Sequence, residues 1–406
     1  MPDPYRVKPD REFIRRVLDQ GGDDLKKCFQ CATCSVVCEL STGPTPFPRK
    51  EMIWTQWGLK DRLVADPDVW QCHQCNDCST KCPRGARPGD VLAALRQECV
   101  AHYAVPRFLA DWANQIKYLP VMLAIPLVLL LLALAVKGPL GEIKPLAALL
   151  DLADHPGFYA WLFPHWLLIG FYSFFWGLAM LGALLGVIRF WRAMKAADES
   201  SGKYQPVLGI VPSVIRALTP IFTHEKFSKC QTKASRQLAH LGVFYGFVAL
   251  FIVSVWAVIA LYGINPFIPD HENDLVYPFA QWNPWKILAN LGAIALIAGC
   301  VMAIQDRLKQ EEEAGASTSF DWLFVGLLLA VGVTGLLTEG LRLVAEPAGV
   351  AGLNALAYVV YFVHLVLVFD LLVYLPYSKF AHILYRTVAL VYAEHTGRNE
   401  GKLEKT

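Results

Sequence analysis

Six stretches of this chain are long and apolar enough to lie in hydrocarbon: roughly residues 118–136, 164–189, 240–263, 286–304, 322–338 and 355–375. A segment inside a bilayer has no water to bond its N–H and C=O groups, so it must satisfy them internally. Apolar runs of about 20 residues therefore predict transmembrane α-helices, and the chain as a whole is expected to be all-α. Composition agrees, with 55% hydrophobic and 18% charged residues among 406. A net charge of +2 favours no class of charged partner.

The apolar runs are unevenly placed. Residues 1–115 are polar and carry nine of the eleven cysteines. The opening MPDPYRVKPDREF has no apolar core of a signal peptide. The front domain is therefore expected in the cytoplasm, where disulfides are rare and clustered cysteines bind metal. Basic residues set orientation. The connection from Arg189 to Arg236 holds nine, that from 264 to 285 none, and 137–160 only Lys137 and Lys144. Six spans with the basic connections inside place both termini on the cytoplasmic side of the inner membrane.

The front domain contains CFQCATCSVVC (Cys28, Cys31, Cys34, Cys38) and CHQCNDCSTKCP (Cys72, Cys75, Cys78, Cys82). Both read C-x2-C-x2-C-x3-C, the spacing of two-cluster ferredoxins, in which the fourth cysteine of each run ligates the other cluster. The expected sets are Cys28, Cys31, Cys34 and Cys82 for one [4Fe–4S] centre, and Cys38, Cys72, Cys75 and Cys78 for the second. Structural zinc favours paired C-x2-4-C units instead. No C-x-x-C-H motif for covalent haem is present. Cys99, Cys230 and Cys300 read as ordinary buried cysteines. The 33 residues between the motifs include RKEMIWTQWGLKDRLVADPDVW, with helical apolar spacing, and PGDVLAALRQECVAHY after Pro83 reads as another helix. This predicts an α-helical ferredoxin rather than a compact β-type one.

Ionisable groups inside spans tend to be functional. His364 and His382 are 18 residues apart around the last span. On one continuous helix they would share a face about 27 Å apart, close to the bilayer thickness. Pro376 between them is able to kink that helix. Matching depths pairs His240 with His382 as ligands of an inner haem, and His165 with His364 for an outer one. Gly242 and Gly246, after His240, are small enough for a flat macrocycle to approach the backbone. His224 is a reserve candidate in the basic connection, while His155 and His271 read as solvated loop residues. Interhelical hydrogen bonding is the competing role for each buried histidine.

The front domain, with "PRK" before its middle helix and "CPRGARPGDVLAALR" closing it, resembles the C subunit of heterodisulfide reductase. Glu39 follows Cys38 where many such motifs have proline. LPYSKFAH and the histidines 18 apart resemble the membrane cytochrome b (the gamma subunit) of respiratory nitrate reductase and the E subunit of heterodisulfide reductase. The nitrate reductase cytochrome carries two histidines ten apart on the partner helix, but here Leu250 stands ten after His240. That departure leaves His364 without its usual partner, which is why His165 is recruited, and a single haem is the alternative. The fusion resembles the family of C subunits of the quinone-interacting membrane-bound oxidoreductase (Qmo) complexes of sulfur-metabolising bacteria. The resemblance implies a subunit that exchanges electrons with menaquinone. It also implies flavin- and iron–sulfur-containing partner subunits, with cytoplasmic adenylylsulfate reductase as the soluble acceptor or donor.

The expected architecture is a ferredoxin domain over 1–115, a six-helix cytochrome b bundle over 116–385 and a polar cytoplasmic tail over 386–406. Quinol releases two electrons and two protons, whereas haems and clusters carry single electrons. The expected route is quinol, outer haem, inner haem, cluster pair, soluble partner. No G-x-G-x-x-G motif is present, so flavin or nicotinamide chemistry is assigned to other chains. Glu339 and Arg342, in TGLLTEGLR, are the candidate quinone-site residues, for proton transfer and orientation; a solvated i,i+3 ion pair is the competing reading. A membrane anchor of a heterodisulfide-reductase-like or nitrate-reductase-like complex is the nearest alternative. An iron–sulfur redox sensor is a further one.

Overall fold

The computed structural model describes residues 8–42, 45–137, 158–224, 234–267, 279–309 and 315–398. Every regular element among these residues is a helix. Cys230, His155 and His271 lie outside them.

The cysteine layer is built from short helices: α1 (Arg11–Val17), α2 (Thr33–Val37), α3 (Arg49–Gln56), α4 (Lys60–Val64), α5 (Asp68–Gln71), α6 (Asp77–Thr80), α7 (Pro88–Tyr103) and α8 (Arg107–Ala113). The helical stretch expected between the motifs is thus divided into α3, α4 and α5. Gly58 ends the first piece at φ +65°, and a Cβ there would lie 2.9 Å from the Asp10 amide nitrogen. Pro67 starts the last piece. The helix expected after Pro83 forms as α7, with Pro88 in its first turn.

The apolar part follows as α9 (Leu119–Lys137), α10 (Phe158–Leu162), α11 (His165–Ser200), α12 (Ile210–Thr223), α13 (Ala234–Ile259), α14 (Pro284–Lys309), α15 (Ser319–Ala348), α16 (Ala351–Val373) and α17 (Ala381–His395). Six of the helical stretches are long and apolar enough to cross a membrane: Ile116–Ala135, His165–Ser200, Ser235–Phe267, Pro284–Lys309, Ser319–Ala348 and Ala351–Val373.

At 36 residues α11 is about 54 Å long, well beyond a hydrocarbon layer of about 30 Å. Its surplus does not hang in solvent. Phe190 and Met194, near its end, are buried in one core with Phe13, Met52, Leu63, Trp70 and Leu95 of the cysteine layer. Residues 189–200, read from sequence as a connection, are therefore helix.

The continuous helix from His364 to His382 is not formed. α16 ends at Val373, Leu375–Tyr377 makes one 3₁₀ turn, and α17 starts at Ala381. Pro376 lies in that turn, where its ring and missing N–H stop an α-helix. The two histidines thus sit on different helices, and the 27 Å same-face relation does not hold. α17 continues through His395 with Tyr385, Ala389 and Tyr392 in the cysteine-layer core. Residues 386–395, expected as polar tail, are helical and largely buried.

The role expected of Gly242 and Gly246 is also corrected. A Cβ on Gly246 would fall 2.6 Å from the Gly292 carbonyl oxygen, and one on Gly299 would fall 2.6 Å from that of Ala239. A Cβ on Gly242 would meet the Ala295 carbonyl oxygen at 2.9 Å. These glycines bring the backbones of α13 and α14 together, the small-residue packing of helices in lipid. The space considered for a macrocycle is filled by α14.

Candidate functional site

The two cysteine motifs fold almost identically. In the first, Gln30 and Ala32 flank Cys31 at φ +59° and +69°; in the second, Gln74 and Asn76 flank Cys75 at φ +56° and +71°. Left-handed backbone on non-glycine residues is costly and persists where the surroundings demand it. Here it curls the chain so that successive thiols converge. Cys34 lies on α2 and Cys78 on α6, and these two helices pack together. Because α2 and α6 lie side by side, the cysteine following each is delivered to the other motif. One pocket is lined by Cys28, Cys31, Cys34 and Cys82; the second by Cys38, Cys72, Cys75 and Cys78.

The donor chemistry of these pockets fits iron–sulfur clusters. All eight cysteines are free thiols rather than disulfides. The Gln74 amide donates to Cys72 Sγ at 3.3 Å and the Ala86 amide to Cys82 Sγ at 3.4 Å. Burial pushes the Cys34 thiol up to about 11 and the Cys38 thiol up to about 12. Buried thiolates therefore need a compensating positive charge, which cluster iron supplies.

The pockets differ in surroundings. The first is lined by Phe29, which is 67% exposed; Val36, on α2, is 83% exposed. Arg84 stands over the Phe29 ring, and Lys26, Lys27 and Lys81 are exposed nearby in the chain. The second faces the helical part. Arg96 of α7 and Arg386 of α17 both donate to the Cys72 carbonyl, at 2.8 and 3.0 Å. Arg236 reaches the Gln74 carbonyl at 3.5 Å.

The histidines can be assigned tautomers from their partners when neutral. His382 Nδ1 lies 2.6 Å from the Lys379 carbonyl, which only accepts, so Nδ1 carries the proton. Thr334 Oγ1 lies 2.9 Å from His364 Nδ1 and donates to the Ala330 carbonyl, and the Val331 backbone also bonds His364. His224 donates Nδ1–H to the Phe222 carbonyl, which leaves its Nε2 to accept from His240 Nδ1 at 3.2 Å. At His382 the lone pair is thereby placed on Nε2, the nitrogen a haem iron would take. The chemistry of His382 fits a haem ligand. His224, whose Nε2 is already used, fits the supporting role instead.

His240 and His382 lie near enough to interact electrostatically. His165 is the first residue of α11, and Phe163, two residues before it, pairs with Phe362 at 6.4 Å, two residues before His364. The structure separates Glu339 from Arg342. Glu339 pairs with Lys286 at 2.8 Å and accepts from Asn290 at 3.2 Å, while Arg342 pairs with Glu346 at 3.4 Å. The i,i+3 ion pair weighed from sequence does not form.

Sequence reasoning missed Lys286, Thr334 and the three arginines. A signal for two of them was present: Arg236–His240 and His382–Arg386 are both i,i+4 pairs, spaced to share a helix face. Cys99 and Cys300 are buried, as expected.

Residues 24–86 match the family of 4Fe-4S dicluster domains. The C subunit of the H2:CoB-CoM heterodisulfide,ferredoxin reductase of Methanothermobacter marburgensis is 37% identical over 107 residues, covering 24% of this chain and 57% of that protein. A protein of Archaeoglobus profundus similar to the C subunit of heterodisulfide reductase is 33% identical over 90 residues, covering 22% of this chain and 48% of its own length. The chain thus spans about half the length of these relatives. Citrate utilization protein B of Escherichia coli is 29% identical over 337 residues, 79% of each chain. No solved structure matches.

Cysteine pockets, helices and relatives together define a class: an iron–sulfur electron-transfer subunit with membrane-like helices. More particularly, a domain like the C subunit of heterodisulfide reductase is joined here to a region similar to citrate utilization protein B.

Proposed function

We propose that this chain is the quinone-reactive electron-transfer subunit of a membrane oxidoreductase, moving electrons between menaquinol and cytoplasmic partners that carry flavin and iron–sulfur centres. The observation carrying this reading is that the Cys72 loop is bonded directly to α17, one turn from His382. A route from bundle to thiol pocket is then only a few residues long. Two haems b and two [4Fe–4S] clusters, when bound, supply the one-electron storage that a two-electron quinol requires.

In this reading Cys28, Cys31, Cys34 and Cys82 hold one cluster, and Cys38, Cys72, Cys75 and Cys78 the other. His240 and His382 ligate the inner haem, with His224 and the Lys379 carbonyl fixing their Nδ1 protons. His364 ligates the outer haem, oriented by Thr334, with His165 opposite. Glu339, held by Lys286 and Asn290, accepts a quinol proton, and Arg342 orients the head group. The exposed Phe29 and Val36, with Arg84, Lys26, Lys27 and Lys81, suit an acidic redox partner with an apolar centre. The fusion of the two parts supports placing the chain with the C subunits of Qmo complexes. It would then lie in the cytoplasmic membrane with both termini inside, and adenylylsulfate reductase would be the soluble acceptor or donor. The heterodisulfide reductase relatives support a second reading, the membrane anchor of a complex of that kind.

Reduced-minus-oxidised optical spectra of membranes test the proposal. A b-type signal is expected, weakened in both His364→Ala and His382→Ala, and reduced by a menaquinol analogue. Membranes holding the intact chain and no such signal would sink it.

A further inference from the structure

The twin motifs are unlike at one equivalent atom. The carbonyl of Cys28, first cysteine of its motif, accepts from the neutral amide of Gln56 at 3.0 Å. The carbonyl of Cys72, first cysteine of the other, accepts from two guanidinium groups, Arg96 at 2.8 Å and Arg386 at 3.0 Å. Arg236 adds a third cation at the Gln74 carbonyl, two residues on. These cations come from three helices, α7, α13 and α17.

The first pocket has its own cations, Arg49 and Arg84, while Glu39 and Asp77 line the second. We propose that Arg386 and Arg236, with Arg96, are positioning residues that clamp the Cys72 loop to the helical domain and offset those carboxylates, raising the reduction potential of its cluster above the value it would have without them. The physical reason is charge. Taking up one electron makes a thiolate-bound cubane more negative by one unit. Neighbouring cations stabilise that state, more so where burial lowers the dielectric screening. Pulling the Cys72 carbonyl outward also turns the loop amides inward, in keeping with the Gln74 N–H bond to Cys72 Sγ. Arg386 and His382, like Arg236 and His240, are one turn apart on their helices. The same clamp thus fixes the second cluster beside the two histidines. This makes it the membrane-side centre and the Cys28 cluster the exit. Only that last placement rests on the haem reading above; the effect of the arginines on the second cluster's potential does not.

The test is an EPR-monitored redox titration of the purified full-length protein with its clusters, scored after iron content is matched. A Cys75→Ser variant marks which signal belongs to the second cluster. Arg386→Gln is expected to lower that midpoint and leave the other unmoved, Arg236→Gln to do so by less, and Arg386→Lys to recover part of the shift. Midpoints unchanged in both glutamine variants, or both clusters shifted alike, would overturn the proposal. So would loss of iron in all three variants, since that marks a role in folding alone. Absence of haem would remove the relay reading while leaving the cluster shift measurable.

Discussion

Trp70 stacks on Tyr385 with ring centroids 5.4 Å apart and planes 20° apart, joining the cysteine layer to the last helix. Phe190, from the far end of α11, meets the edges of both rings at 6.5 and 5.6 Å. The cluster-bearing layer is therefore seated on an aromatic core shared by three distant parts of the chain. Trp70→Ala is expected to cost about 3–5 kcal/mol. The measurement is the urea midpoint for bleaching of cluster absorbance in the full chain, which should fall; Tyr385→Phe, which keeps the ring, should leave it nearly in place.

The glycine seam makes a separate prediction. Gly246→Leu should prevent α13 and α14 from closing, because even a Cβ there lies 2.6 Å from a carbonyl oxygen. The expected outcome is a sharp loss of monodisperse protein on size exclusion in detergent. A variant that stayed monodisperse and changed only an optical haem spectrum would restore the macrocycle role to this glycine.

Lys50 lies between Glu51, Asp66 and Asp68 at 3.2, 2.8 and 2.8 Å, in a buried pocket of the cysteine layer. Burial pushes the Glu51 carboxyl up to about 8, and Lys50 only partly opposes this. The folded chain therefore holds a proton that the unfolded chain releases near the ordinary carboxyl value of 4.5. The stabilisation is complete below that value and fades as pH rises through 8, since the unfolded state then binds fewer protons. Glu51→Gln should flatten this decline in urea midpoints measured from pH 5 to 9. Lys50→Met, which leaves Asp66 and Asp68 with only the more distant Arg398 as a cation, should lower the urea midpoint.

Thr334 Oγ1 lies 2.9 Å from His364 Nδ1, so Thr334→Val removes this hydrogen-bond partner without touching the ring. A hydrogen-bonded imidazole is the more basic ligand and favours the oxidised iron. If His364 ligates haem, the variant should therefore keep its b-type band and shift its midpoint potential upward. An unmoved or lowered midpoint with haem retained counts against the contact. His364→Ala should lose the outer-haem part of the band.

Much of the cysteine site was legible because its information is local. Two motifs with x2, x2 and x3 spacing specify how three thiols curl together, and the crossed fourth ligand follows from the ferredoxin pattern. The helical class was legible from apolar run length. What escaped has a different origin. Gly242 and Gly246 announce close approach of something, and sequence does not say whether that is a macrocycle or a neighbouring backbone. The separation of His364 from His382 turned on one residue, Pro376, whose ring was able to bend a helix or end it. Arg386 and Cys72 are 314 positions apart, and only the folded chain brings them into contact.

The interruption after Val373 also frees α17 from the axis of α16. A rod that continued straight would have carried its remaining residues away into water. By changing course, the chain acquires a crossbeam: one side rests on α12 through Leu390 and Val391, another on the aromatic core through Tyr385 and Tyr392. Displacing that beam would disturb imidazole and thiolate environments together.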